Sequence, residues 1–307
     1  MKILVTGSTG MVGRNFIDDP RVKKYELLLP QRSDLDLTNA GDVLAYFKKY
    51  QPDMVVHCAS RVGGIAANLK YPVEFLSENI DISKNVIMAA YKTGVKKFLN
   101  LSSSCVYPRF GQNPLKETQI LTGELEPTNE GYAIAKIAAL KLCSFISKEN
   151  PECQYRTLIP CNLYGIYDHF DPGKSHMIPA VILKIFQAMQ EKKTTVEIWG
   201  DGTARREFMF TSDVVNCMYQ CIEKFETVPD LMNVGISRDY SITEYYQAIA
   251  DVIGYNGNFS FDKSKPIGMR QKLVDSSIVS NWGWSPQVSL NEGLQKTYTY
   301  FLKGRSL

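Results

Sequence analysis

A tyrosine and a lysine in the middle of the chain have the spacing needed for acid–base chemistry. The stretch "EGYAIAKIAALKL" carries Tyr132 and Lys136 at the start of a helical pattern, and residues four apart on a helix project from one face. A phenol with its ordinary pKa of about 10 is too weak an acid for work at neutral pH, and a neighbouring ammonium lowers that pKa. We therefore expect Lys136 to activate Tyr132; the alternative is an ordinary pair on a helix surface.

A run of small polar residues precedes this pair. The stretch "NLSSSCVYP", residues 100–108, follows an apolar run and stops at a proline. A serine at the end of a strand could hydrogen-bond a substrate oxygen and complete a catalytic set with Tyr132 and Lys136. The alternative is a turn built of small residues, with Cys105 as a buried apolar filler.

A glycine-rich loop opens the chain. Strand-like residues run directly into a G-x-x-G-x-x-G pattern, and a helical pattern follows. Glycines allow a sharp turn and let the backbone approach a pyrophosphate, which then lies at the positive end of the next helix. The pattern predicts a bound dinucleotide rather than a tight turn that binds nothing. The loop consists of Gly7, Ser8, Thr9, Gly10, Met11, Val12 and Gly13.

The end of the second strand-like run distinguishes between two dinucleotides. An acidic residue there would bind the ribose 2′-hydroxyl of NAD, whereas an arginine would accept the 2′-phosphate of NADP. The chain reads "LLLPQRSDLDL", with Pro30, Gln31 and Arg32 before any acid. We therefore predict NADP(H) as the cofactor, with Arg32 and also Arg14 as candidate phosphate contacts. The alternative for Arg32 is a solvated loop charge.

The elements that must position these residues alternate between strands and helices. Such alternation indicates right-handed crossovers and a parallel sheet covered on both faces. The strand-like runs are Ile3–Thr6, Glu26–Leu29, Met54–His57, Phe98–Leu101 and Arg156–Pro160, and the clearest helical patterns are Val73–Thr93 and Tyr132–Lys148.

Beyond about residue 170 the alternation loosens. "TVEIWG" and "LMNVG" are typical of strands, and "SITEYYQAIADVIG" has a Ser-x-x-Glu capping box at Ser241 and Glu244. We predict an α/β protein: a doubly wound parallel (Rossmann) sheet over residues 1–170 and a smaller C-terminal α/β lobe over 171–307 that binds substrate. Some C-terminal segments should return to the first domain, with the site in the cleft between the two.

Composition excludes several classes of partner. Of 307 residues, 44% are hydrophobic and 22% charged, and the formal net charge is +3. Neither nucleic acid nor a membrane is the expected partner, because Lys and Arg form no block longer than a pair. The seven cysteines lack Cys-x-x-Cys spacing, so we expect no metal site and a cytoplasmic location.

Several motifs together resemble one family. They are "GSTGMVG", "RVGGIAANLKYP", "SSSCVYP", "LEPTNEGYAIAKIA", "NLYG", "SHMIPA", "WGDGTARREF" and "FDKSKP". The chain is similar to the extended short-chain dehydrogenases/reductases, and among them to the GDP-L-fucose synthases, nearly end to end. Members of that family are GDP-4-keto-6-deoxy-mannose 3,5-epimerase/4-reductases. The resemblance implies a GDP-linked keto sugar as substrate, a homodimer, and a role in polysaccharide biosynthesis.

The resemblance also implies roles for individual residues. The catalytic serine matches Ser103, the general acid Tyr132 with its helper Lys136, and the epimerisation pair Cys105 and His176. The expected nucleotide-sugar contacts are Lys184, Trp199, Arg206 and Asp275. The expected cofactor contacts beyond the glycine loop and Arg32 are Leu101, Ser102, Ser104, Lys136, Asn162, Leu163 and His176.

The chemistry is consistent with these types of residue. A ketone at C4 acidifies the protons on C3 and C5, and inversion needs one group to remove a proton and another to return it from the opposite face. Cysteine and histidine titrate nearest to neutrality among the candidates. Three alternatives stay open: a C4-reductase without epimerase activity, possibly on a GDP-4-keto-6-deoxy-heptose; a 4,6-dehydratase, for which "SSSCVYP" lacks the carboxylate; and a non-catalytic NADP-binding sensor.

Overall fold

The computed structural model describes residues 1–171, 175–265 and 268–305, and thirteen strands and ten helices lie within these ranges. The strands are β1 (Lys2–Thr6), β2 (Glu26–Leu28), β3 (Met54–His57), β4 (Lys97–Leu101), β5 (Gln154–Pro160), β6 (Asn162–Tyr164), β7 (Thr195–Trp199), β8 (Arg205–Arg206), β9 (Phe208–Phe210), β10 (Leu231–Val234), β11 (Tyr240–Ser241), β12 (Asn258–Asp262) and β13 (Gln271–Lys272). The helices are α1 (Met11–Asp18), α2 (Ala40–Tyr50), α3 (Ile65–Lys70), α4 (Pro72–Lys92), α5 (Glu130–Glu149), α6 (Met177–Gln190), α7 (Thr211–Glu223), α8 (Ile242–Ile253), α9 (Ser277–Asn281) and α10 (Leu290–Lys303).

Six parallel strands form the central sheet, in the order β10–β5–β4–β3–β1–β2. Strand β3 is buried along its whole length, and its neighbours β1 and β4 are buried at all but their first residue, as expected of a sheet covered by helices on both faces. The chain crosses from β1 to β2 on one side and then to β3 on the other. This reversal places a crevice at the carboxyl ends of β1 and β3, where the glycine loop begins.

The predicted fold class is confirmed. Each predicted strand and helix of the first half lies within two or three residues of its observed bounds; the pattern over 73–93, for example, is α4 (Pro72–Lys92). Helices α4 and α5 pack against one another beside the sheet, and α1 packs against α7.

A smaller lobe follows, built around β7, β12 and helices α6, α8 and α10. Its core includes Tyr164, Ile182, Ile198, Tyr245 and Phe301. Helix α8 has the predicted capping box. The Glu244 amide donates to Ser241 Oγ at 3.1 Å, and the Ser241 amide donates to Glu244 Oε2 at 2.6 Å.

Some later elements belong to the first core instead. Strand β10 is an edge of the central sheet, and α7 contributes Val214 and Met218 to the core beneath it. Segments after residue 170 thus pack in both parts of the protein, and residue 170 as a domain boundary stays a prediction.

The described residues also bear on membranes, disulfides and metals. None of their helices is both long and apolar enough to cross a bilayer. All seven cysteines lie among them and are unpaired. No group of three or more His, Cys, Asp or Glu residues in this part of the chain could hold a metal ion.

Candidate active site

A cleft of about 680 Å³ lies between the carboxyl edge of the central sheet and the smaller lobe. The first domain contributes the glycine loop and the ends of β3 and β4, and the lobe contributes residues of β8 and β13. Most residues expected at the site from the sequence line this cleft: Gly7, Ser8, Thr9, Gly10, Met11, Val12, Gly13, Arg32, Leu101, Ser102, Ser103, Cys105, Tyr132, Lys136, Asn162, Leu163, His176 and Arg206.

The glycine loop leaves no space for side chains at two of its positions. Gly7 has φ of +72°, and a Cβ there would lie 2.7 Å from the Ala59 amide nitrogen. A Cβ on Gly13 would lie 2.2 Å from the Gly7 carbonyl oxygen. The loop therefore packs directly on the turn after β3 and presents its backbone at the first turn of α1. This backbone, without side chains at either glycine, fits the pyrophosphate of a dinucleotide.

The turn after β2 borders the same cavity. Arg32 is exposed and lines it. Asp36 also lines it, but its Oδ1 already accepts hydrogen bonds from the Thr38 amide at 2.9 Å and hydroxyl at 2.8 Å. Arg14 lines a smaller neighbouring cavity together with Ser8 and Thr9 of the glycine loop, and its guanidinium carbon lies 4.0 Å from the centre of the Tyr167 ring. Of the two candidate arginines, Arg32 is the one that lines the cleft.

Tyr132 and Lys136 project into the cleft from the first turns of α5. The Lys136 ammonium donates to the Leu101 carbonyl at 3.0 Å and lies 5.7 Å from the centre of the Tyr132 ring. Burial lowers the pKa of Lys136 to about 8. Burial also raises the pKa of the Tyr132 phenol, and the nearby Cys105 raises it further, while hydrogen bonds with Ser60 and Ser103 oppose the change.

The expectation that the Tyr132 phenol has a lowered pKa is therefore wrong for this structure, because the net shift is upward. Removal from water disfavours the phenolate more strongly than the neighbouring groups favour it. The consequence is a phenol that stays protonated at neutral pH, which is the form needed to donate a proton.

Cys105 and His176 line the cleft from distant segments of the chain. Cys105 lies in a short 3₁₀ turn after β4, where its amide donates to Ser103 Oγ at 3.4 Å. Burial raises the pKa of its thiol, and Lys272, Ser103 and Lys136 oppose that change. His176 precedes α6, and its side chain makes no helix cap.

His176 is exposed and lines the cleft. Partial loss of water lowers its pKa, and the charges of Lys272 and His169 lower it further. At neutral pH the pair thus rests as an uncharged thiol and an uncharged imidazole.

Besides Arg14, four expected residues do not line the cleft. Ser104 is buried beneath it. The Lys184 ammonium donates to the Glu197 carbonyl at 2.5 Å, and Trp199, at the end of β7, is 57% exposed. The Asp275 carboxylate accepts a hydrogen bond from the Ser277 amide at 2.9 Å, at the start of α9. Of the four expected nucleotide-sugar contacts, the structure brings only Arg206 into the cleft.

The cleft also contains residues that the sequence did not single out. Ser60 follows β3, lines the cleft and opposes the rise in the pKa of Tyr132; the rule that ligands bind at the carboxyl ends of parallel strands would have found it. Glu126, just before α5, and Lys272, on β13, line the cleft as well. No signal in the sequence marks Lys272, because only the pairing of β13 with β8 carries it to the site.

Comparison with known proteins places this geometry in a family. Residues 3–235 match the model of the NAD dependent epimerase/dehydratase family. The chain is 50% identical to GDP-L-colitose synthase of Yersinia pseudotuberculosis, covering 100% of this chain and 99% of that protein. It is 47% identical to GDP-L-fucose synthase of Azorhizobium caulinodans, covering 100% and 98%.

A solved structure agrees. A GDP-L-fucose synthetase from Naegleria fowleri bound to NADP superposes with a TM-score of 0.87 at 26% identity, covering 99% of this chain and 94% of that one. With relatives this similar along their whole length, the chain belongs to the NAD-dependent epimerase/dehydratase family, in the group of extended short-chain dehydrogenases/reductases that includes the GDP-L-fucose synthases.

Proposed function

We propose that the protein catalyses NADPH-dependent 3,5-epimerisation and 4-keto reduction of a GDP-4-keto-6-deoxy sugar. The observation that carries this proposal is that Cys105 and His176 line the same cleft as Ser103, Tyr132 and Lys136. An acid–base pair for epimerisation thus lies beside a set for carbonyl reduction. The relatives named GDP-L-colitose synthase and GDP-L-fucose synthase support a GDP-linked sugar as the substrate.

Epimerisation would use Cys105 and His176, which line the same cleft. The C4 ketone acidifies the protons on C3 and C5, and removal of either proton leaves an enolate. Cys105, after β4, and His176, before α6, approach from different elements, so one can remove a proton and the other return it to the opposite face. The hydroxyls of Ser103 and Tyr132 stabilise the enolate oxygen by hydrogen bonding.

Reduction uses the same oxygen-binding groups. NADPH, when bound, supplies the hydride that C4 accepts. Tyr132 donates its proton to the C4 oxygen, and burial keeps the phenol protonated until then. The charge of Lys136 stabilises the phenolate that remains. Arg32 at the cleft margin is the proposed contact of the 2′-phosphate, and the glycine loop is the proposed site of the pyrophosphate.

The nucleotide end of the substrate is proposed to extend from Arg206 towards the smaller lobe. Arg206 lies at the cleft and can pair with a phosphate. The exposed ring of Trp199 and the side chain of Lys184 lie on the same lobe and are proposed to contact the base and the phosphates. Asp275 makes no contact with the cleft, and its role stays a prediction.

Assembly and location are proposed from surface features. Helices α4 and α5 pack side by side and expose apolar side chains, with Val73 at 72%, Ile134 at 40% and Phe145 at 61%, which suits a homodimer formed through this face. Seven unpaired cysteines suit a reducing cytoplasm. The proposed pathway is polysaccharide biosynthesis.

The decisive test is turnover of GDP-4-keto-6-deoxy-mannose with NADPH in deuterated water, with the product read by NMR. We expect an L-sugar that carries deuterium at both C3 and C5, because each inverted centre gains its proton from groups in exchange with solvent. In Cys105→Ser, deuterium incorporation should fall about 100-fold or more, whereas NADPH affinity should persist. Cys153→Ser, a buried cysteine away from the cleft, is the matched control.

Two other results would count against the proposal. A reduced D-sugar without deuterium would indicate a reductase without epimerase activity. A failure to consume NADPH with any GDP-4-keto-6-deoxy sugar, hexose or heptose, would favour the non-catalytic sensor.

The rate of reduction should also decline as pH rises through about 8. Lys136 has a pKa of about 8 in the folded protein, so its amine is charged below that pH and neutral above it. A neutral amine no longer stabilises the phenolate that Tyr132 becomes after donating its proton. Because a guanidinium stays charged to a pH above 12, the decline should be absent from whatever activity Lys136→Arg retains. The measurement is kcat from pH 6 to 10 for the wild type and Lys136→Arg. Identical pH profiles of the two proteins would show that the charge of Lys136 does not affect the reduction.

A further inference from the structure

Lys272 is held in the cleft by a rigid frame of hydrogen bonds. Strand β13 pairs in parallel with β8, so that Lys272 lies opposite Arg206. The Glu207 amide donates to the Lys272 carbonyl at 3.2 Å. The buried Glu207 carboxylate accepts hydrogen bonds from the Val274 amide at 2.9 Å and the Ile236 amide at 2.6 Å. The backbone on both sides of Lys272 is therefore fixed.

The side chain of Lys272 carries a charge that the protein does not pair. It is half-buried and lines the cleft. Across residues 1–171, 175–265 and 268–305, the structure records no hydrogen bond or salt bridge to its ammonium. Burial lowers its pKa, and the nearby groups that oppose this are Cys105, Cys161 and Glu126. A cation that is partly removed from water and has no partner in the protein favours an anion beside it.

We propose that Lys272 is the positioning residue of the epimerisation pair, its fixed charge favouring the thiolate of Cys105 and opposing a second positive charge on His176. Lys272 lies on the smaller lobe and Cys105 on the central sheet, and they meet at the same cavity. The epimerase role of the pair rests on the proposed function, whereas the charge coupling between Lys272 and Cys105 does not depend on it.

The other charged and titratable groups around the pair have smaller influence. Among the groups that favour the Cys105 thiolate, Lys272 has the largest effect, followed by the hydrogen bond with Ser103 and the charge of Lys136. At His176, Lys272 is again the strongest neighbouring charge, ahead of His169. Tyr132 also faces Cys105 and would oppose the thiolate only as a phenolate.

One charge can serve both halves of an inversion. The Cys105 thiol first loses its proton to solvent. The resulting thiolate takes the proton from C3 or C5, and the electron pair of the broken C–H bond moves to the C4 oxygen. His176, once protonated from solvent, returns a proton to the opposite face. A lower pKa makes the imidazolium the stronger acid, so Lys272 assists the base by favouring its anion and the acid by destabilising its cation.

The test is the pH dependence of Cys105 alkylation by iodoacetamide in the full chain, followed by mass spectrometry of the peptide that contains Cys105. In Lys272→Met, the inflection should rise by about one pH unit, which lowers the alkylation rate near neutral pH about tenfold. Lys272→Arg should restore the wild-type profile. Lys303→Met, on exposed α10, makes the same change in net charge and should leave the profile unaltered.

Turnover separates this inference from the proposed function. If both hold, Lys272→Met lowers deuterium incorporation about tenfold, and NADPH affinity is unchanged. If the alkylation profile shifts but no GDP-4-keto sugar is turned over even by the wild type, the charge coupling stands and the function is wrong. An unshifted profile in a folded Lys272→Met variant would overturn the inference, whatever happens to KM for the sugar.

Discussion

Replacement of Tyr132 by phenylalanine is expected to lower kcat for NADPH oxidation by about 100- to 10,000-fold, the usual contribution of a positioned proton donor. The variant loses one hydroxyl, which interacts with Ser60 and Ser103, and keeps the ring that packs against the core. NADPH affinity and the free energy of unfolding should therefore change little. Stopped-flow measurement of NADPH absorbance under single turnover reports the chemical step directly.

Tyr298→Phe is a matched control for this prediction. Tyr298 lies on α10 and packs against Phe301 in the smaller lobe, and it does not line the cleft. Its substitution removes the same atom without touching the site, so activity should stay at the wild-type level. Equal activity of Tyr132→Phe and Tyr298→Phe would remove Tyr132 from the mechanism and favour the sensor.

The second large effect is expected from Gly13→Ala. The added Cβ would lie 2.2 Å from the Gly7 carbonyl oxygen and 2.8 Å from the Ser8 Cα. Both neighbours are backbone atoms of the same loop, so the loop must move away from α1. We expect the free energy of unfolding to fall by about 1–3 kcal/mol and NADPH affinity to fall about tenfold or more, because the cradle for the pyrophosphate is displaced.

Gly10→Ala separates this steric effect from a general cost of replacing glycine. A Cβ on Gly10 would meet the Gly7 carbonyl oxygen at 3.4 Å, an ordinary contact, and φ there is −79°. Its free energy of unfolding should stay within about 0.5 kcal/mol of the wild type. Urea unfolding compares the variants. Equal free energies of unfolding for Gly13→Ala and Gly10→Ala would show that the loop can move to accommodate the added Cβ without loss of stability.

Features that depend on near neighbours in the chain were predictable from the sequence. The box of Ser241 and Glu244 forms on α8, and the helix ends at Gly254 with φ of +82°, because capping involves residues only three positions apart. The glycine loop and the pair Tyr132 and Lys136 are local patterns of the same kind. Strand and helix bounds followed from periodicity for the same reason.

Features that depend on burial were not predictable. The spacing of Tyr132 and Lys136 suggested a lowered pKa for the phenol, but the tertiary structure removes the phenol from water and its pKa is raised. Likewise, the sequence grouped Arg206 with Lys184, Trp199 and Asp275, although only Arg206 lines the cleft. Which side chains lose water depends on how whole elements pack, and a motif of a few residues carries no information about that packing.

By itself, the sequence determined a doubly wound α/β fold, a dinucleotide loop after β1 and a Tyr-x-x-x-Lys pair on α5. The tertiary structure alone decided which distant residues share the site. Cys105, His176 and Lys272 come from a turn, a helix start and a two-residue strand, and all three line the same cleft. Lys272 reaches it because β13 pairs with β8. Local patterns arise from backbone geometry within a few residues, whereas charges that tune one another are brought together only by long-range packing.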